Sequence, residues 1–210
     1  MKKIIAIAGN ATCGKDTLFQ ALKRELESHE PWYLNDGRVE RIAFADALKE
    51  EVDEFLKKTI GISAWTSNPD EKKLIRKFLI FWGTEFRRDQ DDMHWVNLSA
   101  EKMSDPSAIY IITDLRYENE YHWIKEQEGT VIYLDRYINK EGTLVAPANH
   151  YEAENNKFLK ANADLQLAWP TYDEDDVQAQ RAFVRKYASP YLQLNNLTFT
   201  KNKTKSDNDE

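Results

Sequence analysis

The chain has 210 residues, of which 41% are hydrophobic and 12% aromatic, so it carries enough apolar side chain for a packed core and is not a disordered polymer. Its net charge of −7 argues against a broad nucleic-acid or anionic-membrane surface. The single cysteine, Cys13, excludes an internal disulfide and a cysteine-based zinc cluster and fits a reducing compartment.

In chain order, Ile4–Ala8 is a short continuous apolar run of the kind buried on both faces of a parallel sheet. Two lysines precede it, as in a secretory leader. The run is shorter than the roughly 7–15 apolar residues of such a segment and passes straight into a glycine loop. No stretch approaches the roughly 20 apolar residues of a membrane span, and a cytoplasmic location is expected. A helix is predicted from Lys15 to about Ser28, with Leu18, Leu22 and Leu26 on one face. A short strand follows at Val39–Ala43, then a helix from Asp46, as its N-cap, to about Lys58. Gly61, Asn68 and Pro69 break the pattern. From Glu71 to Arg88 the residues Leu74, Ile75, Phe78, Leu79, Trp82 and Phe86 make one helical stripe, and Met93–Met103 reads as a weaker helix.

Ala108–Asp114 is a buried strand ending in a carboxylate, Tyr117–Glu126 a helix and Thr130–Leu134 the next strand. Residues 136–156 lack periodicity and read as an excursion from the fold. Ala163–Ala168 is the last predicted strand and Asp173–Tyr187 the closing helix; beyond Asn195 a polar tail is expected. Strands alternating with helices indicate a three-layer α/β domain with a mainly parallel sheet. One domain over 1–195 is expected, with a helical region at about 44–105, the excursion at about 136–156 and a flexible tail over 196–210.

The chemistry begins at Gly9-Asn10-Ala11-Thr12-Cys13-Gly14-Lys15, the spacing of a phosphate-binding loop between a strand and a helix. Two glycines let successive N–H groups wrap phosphate oxygens, the helix start adds its positive end and Lys15 adds a cation. Cys13 reads as a small backbone donor rather than a nucleophile. Asp16 stands where a hydroxyl is usual. A carboxylate there repels phosphate unless Mg²⁺ lies between them; the alternative is an acidic first-turn residue serving the helix dipole. Thr17 then has the hydroxyl that could reach an inner phosphate. Asp114, at the carboxyl end of a strand, is a second metal-ligand candidate, with routine helix capping as the alternative.

Arg76 and Arg87 lie eleven positions apart, within about 20° of each other on an α-helix, and a shared face of guanidinium groups suits phosphate. Trp82 fits the core stripe, whereas Trp65 and Trp95 fall outside strong periodicity and are stacking candidates.

The segments GKDT at 14–17, AFADALKEE at 43–51, GTEFRRDQDDMHWVN at 83–97 and ITDLRYENE at 112–120 resemble the deoxynucleoside monophosphate kinases of tailed bacteriophages. More distantly the chain is similar to dephospho-coenzyme A kinase and phosphomevalonate kinase. The resemblance implies a P-loop NTPase fold with a helical acceptor-binding region and a mobile lid. It implies transfer of the ATP γ-phosphoryl to a deoxynucleoside 5′-monophosphate, with ATP and Mg²⁺ required. By motif, Gly9, Asn10, Ala11, Thr12, Cys13, Gly14, Lys15, Asp16 and Thr17 would hold ATP and its metal, with Asp114 as second ligand. Arg136, at the base of the lid, would contact adenine or the transferring phosphate.

Phe44, Asp46, Lys49, Trp65, Arg76, Asp92, Trp95, Asn119 and Glu120 would then line or flank the acceptor site. Lys15, Arg87 and Arg116 would neutralise the charge in transfer. A His/Glu element of the lid would correspond to His150 and to Glu152 or Glu154, with Ala153 where the family has serine. The partners implied are small-molecule substrates, without nucleic acid or membrane, with a homodimer as one compatible assembly and the host cytoplasm as the location if the protein is phage-encoded. The alternatives are a kinase of another phosphorylated acceptor and an ATP-hydrolysing switch subunit.

Overall fold

The computed structural model describes residues 3–28, 38–139, 142–148, 150–172 and 176–194. The expected polar tail and Lys140 of the excursion lie outside the described residues. Five parallel strands form one sheet in the order β2-β3-β1-β4-β5. They are β1 (Lys3–Ala8), β2 (Val39–Ile42), β3 (Ile109–Leu115), β4 (Thr130–Tyr137) and β5 (Leu165–Pro170). The apolar run at the start of the chain is therefore the central strand, and its residues Ile4 to Ala8 are buried on both faces.

On one face Ile5, Ile7, Ile109, Ile111, Ile132 and Leu134 pack against α1 (Lys15–Ser28), α7 (Val177–Tyr187) and α8 (Ser189–Leu194). On the other, Ala6, Tyr110, Ile112 and Tyr133 pack against α2 (Phe44–Ile60), α4 (His94–Lys102), α5 (Glu118–Glu126) and α6 (His150–Asn162). This is the three-layer α/β architecture that the alternation of patterns indicates. No helix among the described residues is long and apolar enough to cross a membrane.

Beyond the sheet, α2 carries a satellite. Val52, Leu56 and Ala64 pack on Ile75 of α3 (Pro69–Ile80). Asn68 caps α3 through its side-chain oxygen and Pro69 occupies the first turn, while Gly61 ends α2 at φ 71°.

Two expectations need correction here. The single helix over 71–88 is α3 followed by a π-helix at Phe81–Arg88. Its wider turns invalidate the roughly 100° per residue that placed Arg76 and Arg87 on one face. Leu74, assigned to the core stripe, is 66% exposed, and Ile75 is the buried residue of α3. The excursion at 136–156 is also more regular than its sequence suggests. Tyr137 bridges Leu144 antiparallel, Val145 N donates to the Arg136 carbonyl at 2.9 Å, and α6 starts at His150.

Candidate functional site: a phosphate loop between two anchored segments

The glycine loop leaves β1 with Gly9 at φ 143°, Thr12 at 62° and Gly14 at 93°. A Cβ at Gly9 would stand 2.4 Å from the Leu134 carbonyl oxygen, and one at Gly14 would stand 3.1 Å from the Trp169 ring. Backbone geometry and space both demand glycine at these two positions. Trp169 of β5 lies beneath the loop and donates from Nε1 to the Cys13 carbonyl at 3.1 Å. Cys13 is buried, and burial pushes its thiol pKa up, in keeping with a structural residue.

Lys15 Nζ donates to the carbonyls of Gly9 (2.7 Å) and Asn10 (2.9 Å), so the ammonium is folded over the loop. Burial lowers its pKa, and the Arg116 charge pushes in the same direction. Lys15 opens α1 after the loop that follows β1, and Arg116 directly follows β3, the strand paired with β1, so the two cations feel each other at the carboxyl end of the sheet. Arg116 itself is exposed, with its backbone N–H donated to Glu120.

Asp16 lies in the first turn of α1 with its side chain 80% exposed and Arg41 Nε 3.6 Å away. Arg41 also binds Asp46 at 2.7 Å, and Asp46 lies 3.6 Å from Lys49. Lys49 Nζ sits 4.7 Å over the ring of Trp65. A chain of charges thus runs from the phosphate loop along α2 to an exposed indole. Thr17 lies half-buried one position on.

Asp114 has a different role from the metal ligand expected of it. Ala6 pairs with Ile112 and Ala8 with Leu115, so β3 carries an extra residue there, a bulge that re-aims Thr113 and Asp114. Asp114 Oδ1 accepts from Phe44 N and Oδ2 from Ala45 N, both at 2.9 Å. The carboxylate caps α2 from 70 positions away in sequence, and Ala43 at the N-cap position offers no side-chain bond. Asp46, expected to cap this helix, lies inside its first turn. Burial pushes the Asp114 carboxyl pKa up, opposed by the two amides and Arg116. Among the described residues no group of three or more His, Cys, Asp or Glu side chains could hold a metal.

The acceptor-side candidates divide. Phe44 is buried in the core between α2 and the sheet rather than flanking a site. Trp95 is 2% exposed and donates to the Gly83 carbonyl at 2.9 Å, which makes it core rather than a stacking surface. Glu120 is also structural: it accepts from Arg116 N and Tyr117 N and pairs with Arg88. Arg76, Asp92, His150 and Glu154 are exposed. Asn119 is half-buried and tied to the Asp92 carbonyl at 2.7 Å.

Arg87 stands beside a group the sequence reading missed. Glu51 of α2 accepts from Trp82 Nε1 (2.6 Å) and Arg87 Nε (2.7 Å) and lies 3.0 Å from His94 Nε2. Burial alone would raise the Glu51 pKa, but the bonds from Trp82, His94 and Arg87 outweigh it and hold the carboxyl below its usual range. The Arg87 guanidinium lies 5.4 Å from the Trp82 ring centre and 5.9 Å from that of Phe86, in a ladder of stacked rings from Phe55 through Phe78 and Trp82 to Phe86.

On the far side of the loop, Asn10 Nδ2 donates to the Val145 carbonyl and Asn10 Oδ1 accepts from Asn156 Nδ2, both at 2.7 Å. Glu152 Oε1 accepts from Ala11 N at 2.9 Å and Oε2 from Ala148 N at 2.6 Å. Arg136, at the end of β4, is half-buried, and its Nε is buried without a hydrogen-bond partner among the described residues.

Comparison with known proteins places the chain in a family. The family model described as phosphomevalonate kinase matches residues 7–130, more than half of the chain, from the phosphate loop to the start of β4. Phosphomevalonate kinase of Drosophila melanogaster is 28% identical over 131 residues, which cover 61% of this chain and 63% of the relative. The match thus spans less than two thirds of the curated relative's length. Among solved structures, Kti12 of Chaetomium thermophilum, in complex with ADP-AlF3, aligns at 15% identity and a TM-score of 0.43 over 87% of this chain and 96% of its own. Shikimate kinase from Bacteroides thetaiotaomicron aligns at 15% identity and a TM-score of 0.46 over 92% of this chain and 98% of its own.

Proposed function

We propose that this chain, which belongs to the phosphomevalonate kinase family, is an ATP-dependent phosphotransferase whose acceptor is itself a phosphomonoester, giving ADP and a diphosphate product. The observation that carries the reading is the pair of cations Lys15 and Arg116 at one end of the sheet. One is folded over the phosphate cradle that follows β1 and the other stands just past β3, the strand paired with β1, as a donor and an acceptor phosphate require. The acceptor phosphate is already a nucleophile, so no general base is demanded. Lys15 and the loop amides hold the β- and γ-phosphates, and Arg116 and Arg87 draw in the acceptor and neutralise charge on the transferring group.

The Mg²⁺ that accompanies ATP would be held mainly by phosphate and water, with the exposed Asp16 and the half-buried Thr17 as its protein contacts. Asp114 serves as a positioning residue that fixes α2, with Lys49 and Glu51, relative to the loop. The lid is the hairpin at 136–145 with the start of α6.

Family membership makes phosphomevalonate the first acceptor to test. A second reading, a deoxynucleoside monophosphate, is supported by the Phe78–Trp82–Phe86 ladder under Arg87. Flat rings suit a nucleobase, whereas an aliphatic acid has nothing to stack. A coupled ADP-release assay with phosphomevalonate, the common deoxynucleoside and nucleoside monophosphates, and dephospho-coenzyme A decides between them. We expect Mg-ATP turnover to rise at least about tenfold with one of these phosphomonoesters. Equal rates with and without every acceptor would overturn the kinase reading.

The odd carboxylate in the loop helix has its own test. If Asp16 faces the metal, Asp16→Asn binds metal-free ATP at least as tightly as the parent protein, because a like charge is gone. It also needs more Mg²⁺ for half-maximal turnover. A residue that only serves the helix dipole would cost about 0.3–1 kcal/mol of stability and leave the Mg²⁺ titration unchanged.

A further inference from the structure

The contact between α6 and the phosphate loop is made by a negative charge. We propose that Glu152 is a stand-in for nucleotide phosphate: its carboxylate accepts the Ala11 N–H of the loop, ties the lid segment to it, and is displaced when ATP binds. This rests on the loop being a nucleotide site.

The geometry makes the case in three steps. Glu152 Oε1 lies 2.9 Å from Ala11 N, within the loop whose backbone donors and lysine suit an anion. The Glu152 carboxylate also lies close enough to raise the Lys15 pKa, so it adds negative charge to the same cradle. Its second oxygen holds Ala148 N at 2.6 Å, and the neighbouring Asn10 binds Val145 and Asn156, so the carboxylate ties the lid segment to the loop. An amide N–H donates well to one acceptor, and a phosphate oxygen cannot share it with a carboxylate at hydrogen-bond distance without direct charge repulsion.

The lid has room to respond. An open depression of about 300 Å³ lies beside this contact, between the hairpin and α6, lined by Asn10, Tyr133, Asp135, Val145, Asn156 and Lys160. The Asn10 bonds to Val145 and Asn156 do not involve Glu152, so its replacement leaves a separate tie between this segment and the loop. The contact thereby sets a threshold: nucleotide enters by exchanging one anion for another, and that exchange removes one of the ties between lid and loop.

The test uses the full chain with Glu152→Gln, which keeps the shape and an acceptor oxygen but removes the charge, and Glu152→Ala, which removes both. Calorimetry with metal-free ATP should give binding about tenfold tighter in both variants, the ratio expected when one charge-assisted hydrogen bond no longer has to be displaced. Hydrogen exchange of the nucleotide-free proteins should show the Ala11 and Ala148 amides protected in the parent chain and fast in Glu152→Ala. Unchanged or weaker ATP binding in both variants, with the parent chain binding normally, overturns the latch alone. Absence of ATP binding in all three proteins overturns the nucleotide reading and the latch together.

Discussion

Lys15→Ala will lower kcat by about 10²–10³-fold or more, the loss typical of removing one preorganised charge from a transferring group. The thermal melt without nucleotide will be unchanged. The reason for the separation is local. Lys15 Nζ binds only carbonyls of its own loop, those of Gly9 and Asn10, among the hydrogen bonds described. The loop shape is fixed independently by the glycine angles and by Trp169 beneath Cys13. Burial disfavours the ammonium, so its removal relieves a desolvation cost while taking away the charge that meets phosphate. Steady-state rates alongside melting curves check this, and an unfolded variant would make Lys15 structural.

The second large effect concerns stability. Arg88→Ala will destabilise the fold by about 3–5 kcal/mol at neutral pH, because it strands a buried carboxylate. Glu120 has a side chain 2% exposed and Arg88 one 13% exposed; the two are joined in an ion pair, and the guanidinium also lies 4.1 Å from the Tyr117 ring centre. Burial pushes the Glu120 pKa up while Arg88 pulls it back.

Removing Arg88 raises that folded-state pKa further above the unfolded one. The folded state then holds its proton more tightly than the unfolded chain, so stability falls as pH rises through the window between the two values. The deficit relative to the parent protein is therefore full at neutral pH and shrinks as pH falls toward the ordinary carboxylate range. Urea titrations of both proteins across acid to neutral pH measure it. A pH-independent difference would mean that lost packing on Tyr117 outweighs the charge.

What could be read from the chain and what could not follow from how far each interaction reaches. The phosphate loop was legible because its glycines, lysine and flanking elements are neighbours in sequence. The sheet was legible because strands buried on both faces spell continuous apolar runs, as Ile4–Ala8 and Ile109–Ile112 do. Asp114 capping α2 was not, since the bond joins residues 70 apart. The π-helix at Phe81–Arg88 defeated an argument built on 3.6 residues per turn, and the pairing of Arg88 with the buried Glu120 joins residues 32 apart, beyond the reach of local periodicity. Helix α6 escaped because part of its inward face is polar. Glu152, Asn156 and Leu159 recur at helical spacing, but two of them turn toward the phosphate loop rather than an apolar core. A search for helical periodicity among Glu and Asn would have found it.

Trp169 gives the molecule a spectroscopic property. Its indole is buried, touches the space a Gly14 side chain would need, and donates to the Cys13 carbonyl, so the chromophore is wired to the backbone that would close on phosphate. Indole emission shifts with hydrogen bonding and local field, and a loop that rotates its peptide planes around an anion changes both at this ring. Phosphate binding in the loop is therefore expected to shift the emission of this one of the six tryptophans, a readout that needs neither label nor turnover.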